Sequence, residues 1–568
     1  MQKNRDVEFN FSSGFLKKKW PLIVLLLILI FGFYLRVYHL DSPVSGYHNW
    51  KETHYLTEAR NFAEEGDWLT PRGDFPDLFS SPSGAHGDSL PLTSWFTGIG
   101  FMLFGAHVWV GRLISVLLVM GSILLMYLIV KKLFKREDLA LTTALIAATN
   151  PLLVFFGRQV QVITPALFFG MLSIYLYIIW LDKDKLKYLF FASLCFILSF
   201  MTKYSFALLA VPMLAIFPFK RLRKDRLKKD WKKYIYALLP ILLIPLWLLN
   251  NRRITLEYFT SLETGRSLLG AISFDFLGIF EPSFWIMVKS YIIDNYTLLG
   301  FLFAIVGIFL FLFLYKNKKS RGYKFLLFYI IFSVPWIVIM SKKLSGHSYH
   351  QYPIAPLIIL LISFCFVVLG VLLERKTKIK NLRWAVIAVL FILLVYPPIL
   401  NEGGGIFEAK DRQFNLQFMG LDVAGEYIKE NSESDERVFF SGHQSHGIVW
   451  EADRKGAGYH YNSSLTTLGE EEYNFRWILV YSWGLEILED PDKFDHIRGG
   501  YSLRQIGLAQ AADGTHQPVY MLFEKGGSSD LSNLVETINE KQENNEIGFR
   551  QYERTDGETT LVYFNFDE

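Results

Sequence analysis

Along most of the chain, apolar residues come in blocks of about 15 to 20 with almost no charge inside them, as in Trp20 to Val37 and Ile354 to Leu373, and clusters of Lys and Arg separate one block from the next. Blocks of this length can cross a bilayer. Read between their charged punctuation, they predict about eleven helical spans, near residues 20–39, 108–130, 139–156, 162–181, 187–202, 204–218, 234–249, 296–315, 325–341, 354–373 and 384–400. After residue 400 the pattern changes. Short β-rich runs at Arg437 to Phe440, Gly447 to Trp450, Trp477 to Tyr481, Val519 to Phe523 and Thr560 to Phe566 alternate with polar helical stretches such as Asp422 to Glu430. That alternation predicts a small soluble α/β domain over 401–568. Between the first two spans, residues 40–107 are too long for a simple connector. Within them Thr53 to Gly66 reads as an amphipathic helix lying flat near the membrane surface, with Tyr55, Ala59, Phe62 and Ala63 on one face, and Phe75 to Leu92 reads as irregular chain.

Composition agrees: of 568 residues, 51% are hydrophobic and 16% aromatic, which excludes disorder and exceeds what a soluble fold of ordinary composition buries. The net charge of +4 is small and scattered between apolar blocks, so no nucleic-acid footprint is present. Its distribution sets topology instead. The N-terminus and alternate loops carry about 31 of the 58 Lys and Arg, against about 11 in the opposite short loops. Residues 1–19 are therefore expected in the cytoplasm, and the loops 40–107 and 250–295 and the domain 401–568 outside a cell (plasma) membrane. Lys17, Lys18 and Lys19 before Trp20 imitate the start of a signal peptide, but the apolar run is too long and no small-residue cleavage site follows, so this block is a retained span over the start of the 20–400 membrane domain.

Cys195 and Cys365 both lie inside apolar blocks, which suggests neither a disulfide framework nor a thiol metal site. His443 and His446 have a metal-pair spacing but no third ligand nearby, and read as loop or core histidines. Asn295-Tyr-Thr297 and Asn462-Ser-Ser464 fit a glycosylation acceptor pattern, whose matches are mostly incidental.

Charged groups beside a membrane are costly, and several gather at the expected outer ends of spans: Glu52, Arg158, Lys203, Arg252, Arg253, His347 and His350. A carboxylate, several cations and two histidines on one side suit a phosphate-bearing lipid. Lys203 and Arg158 are equally explained by snorkelling to the interface. Arg252 and Arg253 run against the positive-inside bias, which favours a functional role for them. A transporter or lipid flippase is the alternative, although it would carry charges near the midplane and discontinuous spans.

The order of residues narrows the field. Glu52-Thr-His-Tyr55, Ala59-Arg60 and Gly66-Asp-Trp68, then Leu90-Pro91-Leu92, Gly111-Arg112-Leu113, Pro151, Arg158 and Lys203, and last His347-Ser-Tyr349-His350-Gln351-Tyr-Pro353, follow one another over most of residues 20–375. This series resembles family 39 glycosyltransferases of the GT-C superfamily, the group that contains protein O-mannosyltransferases and aminoarabinose transferases. The resemblance implies an α-helical polytopic membrane protein with a C-terminal external α/β domain. It implies a transferase that moves a hexose or pentose, with inversion, from a polyprenyl-phosphate-linked sugar to a hydroxyl of a lipid, glycan or protein at the outer face.

The position of the family's usual catalytic Asp is Lys51 here, so that role passes to Glu52, the favoured candidate, or to Asp88. Such a reaction needs a carboxylate to accept the acceptor's proton and cations to stabilise the departing phosphate. Lys203 is the first candidate for the phosphate, with Arg158, Arg252 and Arg253 behind it. Tyr55, His347, Tyr349, His350 and Gln351 are expected at the substrate. His347, Tyr349, His350 and Gln351, together with Glu52, His48 or His54, are also the residues that would hold a divalent cation.

Overall fold

The computed structural model describes residues 13–566 except 79, 220–223, 261–276, 316, 397–403, 443, 460–462, 483–487, 511–515 and 530. His443 and Asn462 therefore lie outside the described residues.

Among the described residues, six helices are long and apolar enough to cross a membrane: Lys19–Val37, Val108–Phe134, Ile163–Lys183, Trp231–Tyr258, Arg321–Ile339 and Ser348–Thr377. Pro282–Tyr296 and Leu298–Leu314 form a further pair that meets at 92°. Leu186–Thr202, Tyr204–Ala215 and Leu382–Val395, three of the expected spans, are shorter apolar helices. This is a multi-pass membrane architecture.

The expected span 139–156 divides into Glu137–Thr149 and Pro151–Phe155. Pro151 has no N–H to offer the carbonyl of Ala147, so the helix cannot continue through it. Arg36, fully buried in the first helix, donates to the carbonyls of Ala147, Ala148 and Leu153. One side chain thus satisfies backbone that would otherwise be stranded at membrane depth. A helix over Leu92–Phe104, not expected from the sequence, leads from the first loop back to the bundle.

The C-terminal part is built on a seven-stranded mixed sheet: β1 (Arg437–Phe440), β2 (Gly456–Gly458), β3 (Phe475–Tyr481), β4 (Tyr501–Gln510), β5 (His516–Lys525), β6 (Gly548–Arg554) and β7 (Gly557–Asn565), in the order β2-β1-β3-β5-β4-β7-β6. β1 lies parallel to β2 and β3, and the remaining pairs are antiparallel. Gly447 to Trp450, expected as a strand, is instead a short buried helix, Gly447–Glu451. A four-residue apolar run has no period that separates the two states. A side chain at Gly447 would meet the carbonyl oxygen of Val44, so the turn is cut to fit the first loop.

That loop is where the two parts join. Phe418 N–H donates to the Ser45 carbonyl at 2.7 Å, Gly456 N–H to the Asp74 carbonyl at 2.7 Å, and Val44 N–H to the Glu451 carboxylate at 2.7 Å. The loop helix, Asn49–Glu65, is consequently covered on both sides rather than lying on the membrane with a wet polar face. Tyr55, Leu56, Ala59 and Trp450 share one apolar cluster, while Asn49, Glu52, Thr53 and Glu58 are buried as well. The expected amphipathic pattern was sound as helix but silent on what covers the polar face.

Candidate active site

Two cavities of similar size flank the loop helix, and they divide the expected site residues between them. The first, about 320 Å³, lies between the loop and the C-terminal sheet and is lined by Glu52, Arg112 and Arg158 together with Asp422, Arg550 and Glu553. The second, about 350 Å³, is lined by Lys51, Tyr55, Asp88, Lys203, Lys342, Lys343, His347, Tyr349 and His350.

Glu52 points away from the second cavity. Its carboxylate accepts from Arg112 Nε at 2.9 Å and Nη2 at 2.8 Å, and from the Val160 amide at 3.3 Å. Burial alone would raise this carboxyl, but the Arg112 guanidinium, helped by Arg158 and the Val160 amide, holds it below the usual carboxylate range. Arg112 also donates to the carbonyls of Leu40 and Ser42, so the pair staples the start of the loop to the bundle. Arg158 donates to the His39 carbonyl at 2.7 Å and lies over the Phe414 ring. Both groups are engaged in holding the loop.

Arg252 is exposed, and Arg253 binds Thr70 at 2.8 Å and Glu257 at 2.9 Å, so neither of these arginines enters the second cavity. Gln351 is buried outside the lining of that cavity, accepting from Asn295 at 3.0 Å. Asn295 itself is fully buried and also donates to the Ser348 carbonyl, which withdraws it from any glycosylating enzyme.

Asp88 does face the second cavity. The chain that carries it is fixed at both ends: Trp247 donates to the Gly87 carbonyl at 3.2 Å, and Leu90 N–H donates to the Met201 carbonyl at 3.0 Å, two residues from Lys203. A Cβ at Gly87 would come within 2.3 Å of Asn251 Oδ1, so this close approach requires glycine. Partial burial works against ionisation of Asp88. The hydrogen bond from His86 Nδ1 at 3.2 Å, with the charge of His86, His54 and Lys51, nevertheless holds the carboxyl well below its ordinary value. It is therefore ionised at neutral pH.

Around it stand four lysines. Lys203 follows the helix Leu186–Thr202, Lys342 and Lys343 lie on Ser341–Gly346, and Lys51 sits over the Trp50 ring. Burial, with Lys51 and Lys343 nearby, lowers the Lys203 ammonium to about 7, and Asp88 opposes that shift. Aromatic rings form the wall: His347 stacks on Tyr349 at 5.4 Å, while His350 is tilted against Tyr349 at 4.5 Å and Trp50 against His347 at 5.6 Å. An aromatic wall, one carboxylate and an excess of cations can hold a sugar face, take a proton and receive a phosphate.

Lys342 and Lys343 were absent from the expected set. The signal for them existed: two cations at the expected outer end of a span run against the positive-inside bias, as Arg252 and Arg253 do. His86 was also missed. With His54 and Glu58 it forms a compact group of possible metal ligands, and burial pushes the Glu58 carboxyl up to about 7.

The model of the dolichyl-phosphate-mannose-protein mannosyltransferase family matches residues 86–248, a stretch that contains Asp88 and Lys203. A putative mannosyltransferase, YkcB, from Bacillus subtilis (strain 168) is 30% identical over 204 residues, which cover 35% of this chain and 27% of that protein. The chain thus spans about a quarter of that relative's length. Among solved structures, ArnT from Cupriavidus metallidurans in the apo state is similar with a TM-score of 0.56 at 11% identity, covering 90% of this chain and all of that one. The archaeal oligosaccharyltransferase AglB from Archaeoglobus fulgidus, solved with an inhibitory peptide and a dolichol-phosphate, is similar with a TM-score of 0.55 at 14% identity, covering 92% of this chain and 75% of that one. The transporter alternative finds no support among these likenesses.

Proposed function

We propose, from the family match over residues 86–248 and the likeness in fold to ArnT, that the chain is a GT-C-type glycosyltransferase that transfers a sugar from a polyprenyl-phosphate donor to an acceptor hydroxyl, with Asp88 as the base. The observation that carries this reading is the second cavity, where one ionised carboxylate faces Lys203 and its neighbouring lysines across a space of about 350 Å³.

The acceptor oxygen attacks the anomeric carbon of the donor sugar, and its proton passes to an Asp88 carboxylate oxygen. As the new C–O bond forms, the bond from that carbon to the phosphate oxygen breaks, and its electron pair leaves with the polyprenyl phosphate. A single displacement inverts the anomeric centre. The phosphate gains one negative charge on leaving. Lys203, Lys342 and Lys343 stabilise that charge more strongly in the transition state than in the bound donor, which is the condition for accelerating the step. Tyr55, His347, Tyr349 and His350 position the sugar. The site opens to the external side of a cell membrane, with the N-terminus cytoplasmic and residues 401–568 outside, and the sheet domain clamps the loop that carries the base.

The test uses the purified full-length chain in lipid nanodiscs with a panel of radiolabelled polyprenyl-phosphate hexoses and pentoses. Transfer or release of one sugar is expected, with kcat in Asp88→Asn reduced about 10²- to 10⁴-fold while elution profile and Tm stay unaltered. Full turnover in Asp88→Asn would remove the base assignment, and failure to bind any of these donors would remove the transferase reading itself.

A further inference from the structure

His54 and Glu58 lie one turn apart on the loop helix Asn49–Glu65, and the returning chain brings His86 against them. The Nε2 atoms of both histidines lie 3.8 Å from Glu58 Oε2, and one ligand atom from each of the three residues falls within 4.8 Å of the others. Glu58 is wholly buried, and among the described residues neither of its oxygens makes a hydrogen bond of good geometry, with His86 and the Ser94 hydroxyl the groups that favour its charge; His86 Nε2 is also buried without a hydrogen-bond partner among them. A wholly buried carboxylate without a well-formed hydrogen bond is a costly arrangement, which a bound cation relieves.

We infer that His54, Glu58 and His86 form a binding site for one divalent transition-metal ion of the zinc class. Two imidazoles and a carboxylate match that class, whereas magnesium and calcium take oxygen ligands. The spacing fits: ligands at zinc bond lengths around a tetrahedral ion lie about 3.3 Å apart, so the 3.8 Å pairs need to close by only a fraction of an ångström. His86 turns its other nitrogen to Asp88 at 3.2 Å, which gives the carboxylate–histidine–metal arrangement that fixes the tautomer and ring of a ligating histidine. A cavity of about 160 Å³, lined by His54, His86, Ser81 and Phe75, gives the ion a way in.

The ion ties the returning chain to the loop helix and holds His86 as a positioning residue for Asp88. This site does not depend on the proposed reaction, because occupancy is read on the protein itself.

The experiment takes the full-length chain, purified without a polyhistidine tag or chelator, exposes it to zinc or cobalt, removes free metal and measures metal content by mass spectrometry. About one equivalent per chain is expected in the wild type, with a tetrahedral cobalt absorption spectrum. Glu58→Gln and His86→Ala should each lose most of the metal and the cobalt bands, while His347→Ala, in the neighbouring cavity, retains both. Wild-type protein that stays essentially metal-free would overturn the site, leaving Glu58 as a buried protonated acid. Full occupancy in folded Glu58→Gln would overturn it too. Should the variants not fold, chelation of the wild type decides: release of one equivalent with loss of the cobalt bands supports the site, and no metal to release refutes it.

Discussion

The two cavities beside the loop helix are nearly equal in volume, yet opposite in electrostatic design. The one that holds Glu52 is lined by four acidic residues, Asp41, Glu52, Asp422 and Glu553, and four arginines, Arg112, Arg158, Arg550 and Arg554. Its charges answer one another, as in Arg112 with Glu52 and Arg550 with Asp422. The one that holds Asp88 is lined by four lysines and a single carboxylate. A balanced set of buried charges holds chain segments together; an unbalanced one leaves a field for a ligand to complete. The difference teaches that a charged residue at a span end is informative only together with its partner.

The largest expected effect tests the balanced side. Arg112→Leu leaves the Glu52 carboxylate buried without its guanidinium and should destabilise the chain by about 3–5 kcal/mol, read as a lower Tm in detergent. Adding Glu52→Leu should recover part of that loss, and only part, because Arg112 also binds the Leu40 and Ser42 carbonyls. Were Glu52→Gln to keep its Tm and lose turnover, the contrast would collapse and Glu52 would return as the base.

A smaller effect tests the unbalanced side. Lys203→Met should weaken the phosphate interaction by about 1.5–3 kcal/mol, seen as a loss of roughly 10- to 100-fold in kcat/KM for the donor with little change in Tm. Lys343→Met should act in the same direction and less strongly, since a neighbouring lysine remains. Arg158→Leu, by comparison, should lower Tm with little effect on donor affinity. Equal donor defects in Lys203→Met and Arg158→Leu would show that the two cavities work as one site.

The apolar blocks made the long helices legible, since each extends over bilayer length with charge at its ends. Lys203, His347, Tyr349 and His350 were legible because span ends and local order place them on one side. What stayed hidden is long-range. Glu52 and Arg112 are 60 positions apart, and nothing local says that one neutralises the other. Lys342 and Lys343 stood against the positive-inside bias, but only the fold brings them to the cavity of Lys203 and Asp88. Gly447 to Trp450 folded as a helix because its apolar run fits against Val44, a contact no short-range pattern encodes. His86 gained meaning only when the returning chain met His54 and Glu58.

The smallest effect concerns the seam through which the sheet domain holds the loop. Glu451 accepts the Val44 amide there, and burial pushes its carboxyl up to about 7. The Val44 amide and Arg112 oppose that shift, while Asp422 and Glu426 reinforce it. A carboxyl raised on folding binds a proton that the unfolded chain gives up near pH 4.5, so below that value its contribution is constant, and stability falls as pH rises from there to about 7. Glu451→Gln keeps an acceptor for Val44 and cannot ionise. Its Tm should therefore drop less than that of the wild type between pH 5.5 and pH 8, with the two proteins most alike at the acidic end. A parallel decline in both would mean that Glu451 is ionised without cost. The seam would then resemble the unbalanced cavity in tolerating a carboxylate that cations around it already stabilise.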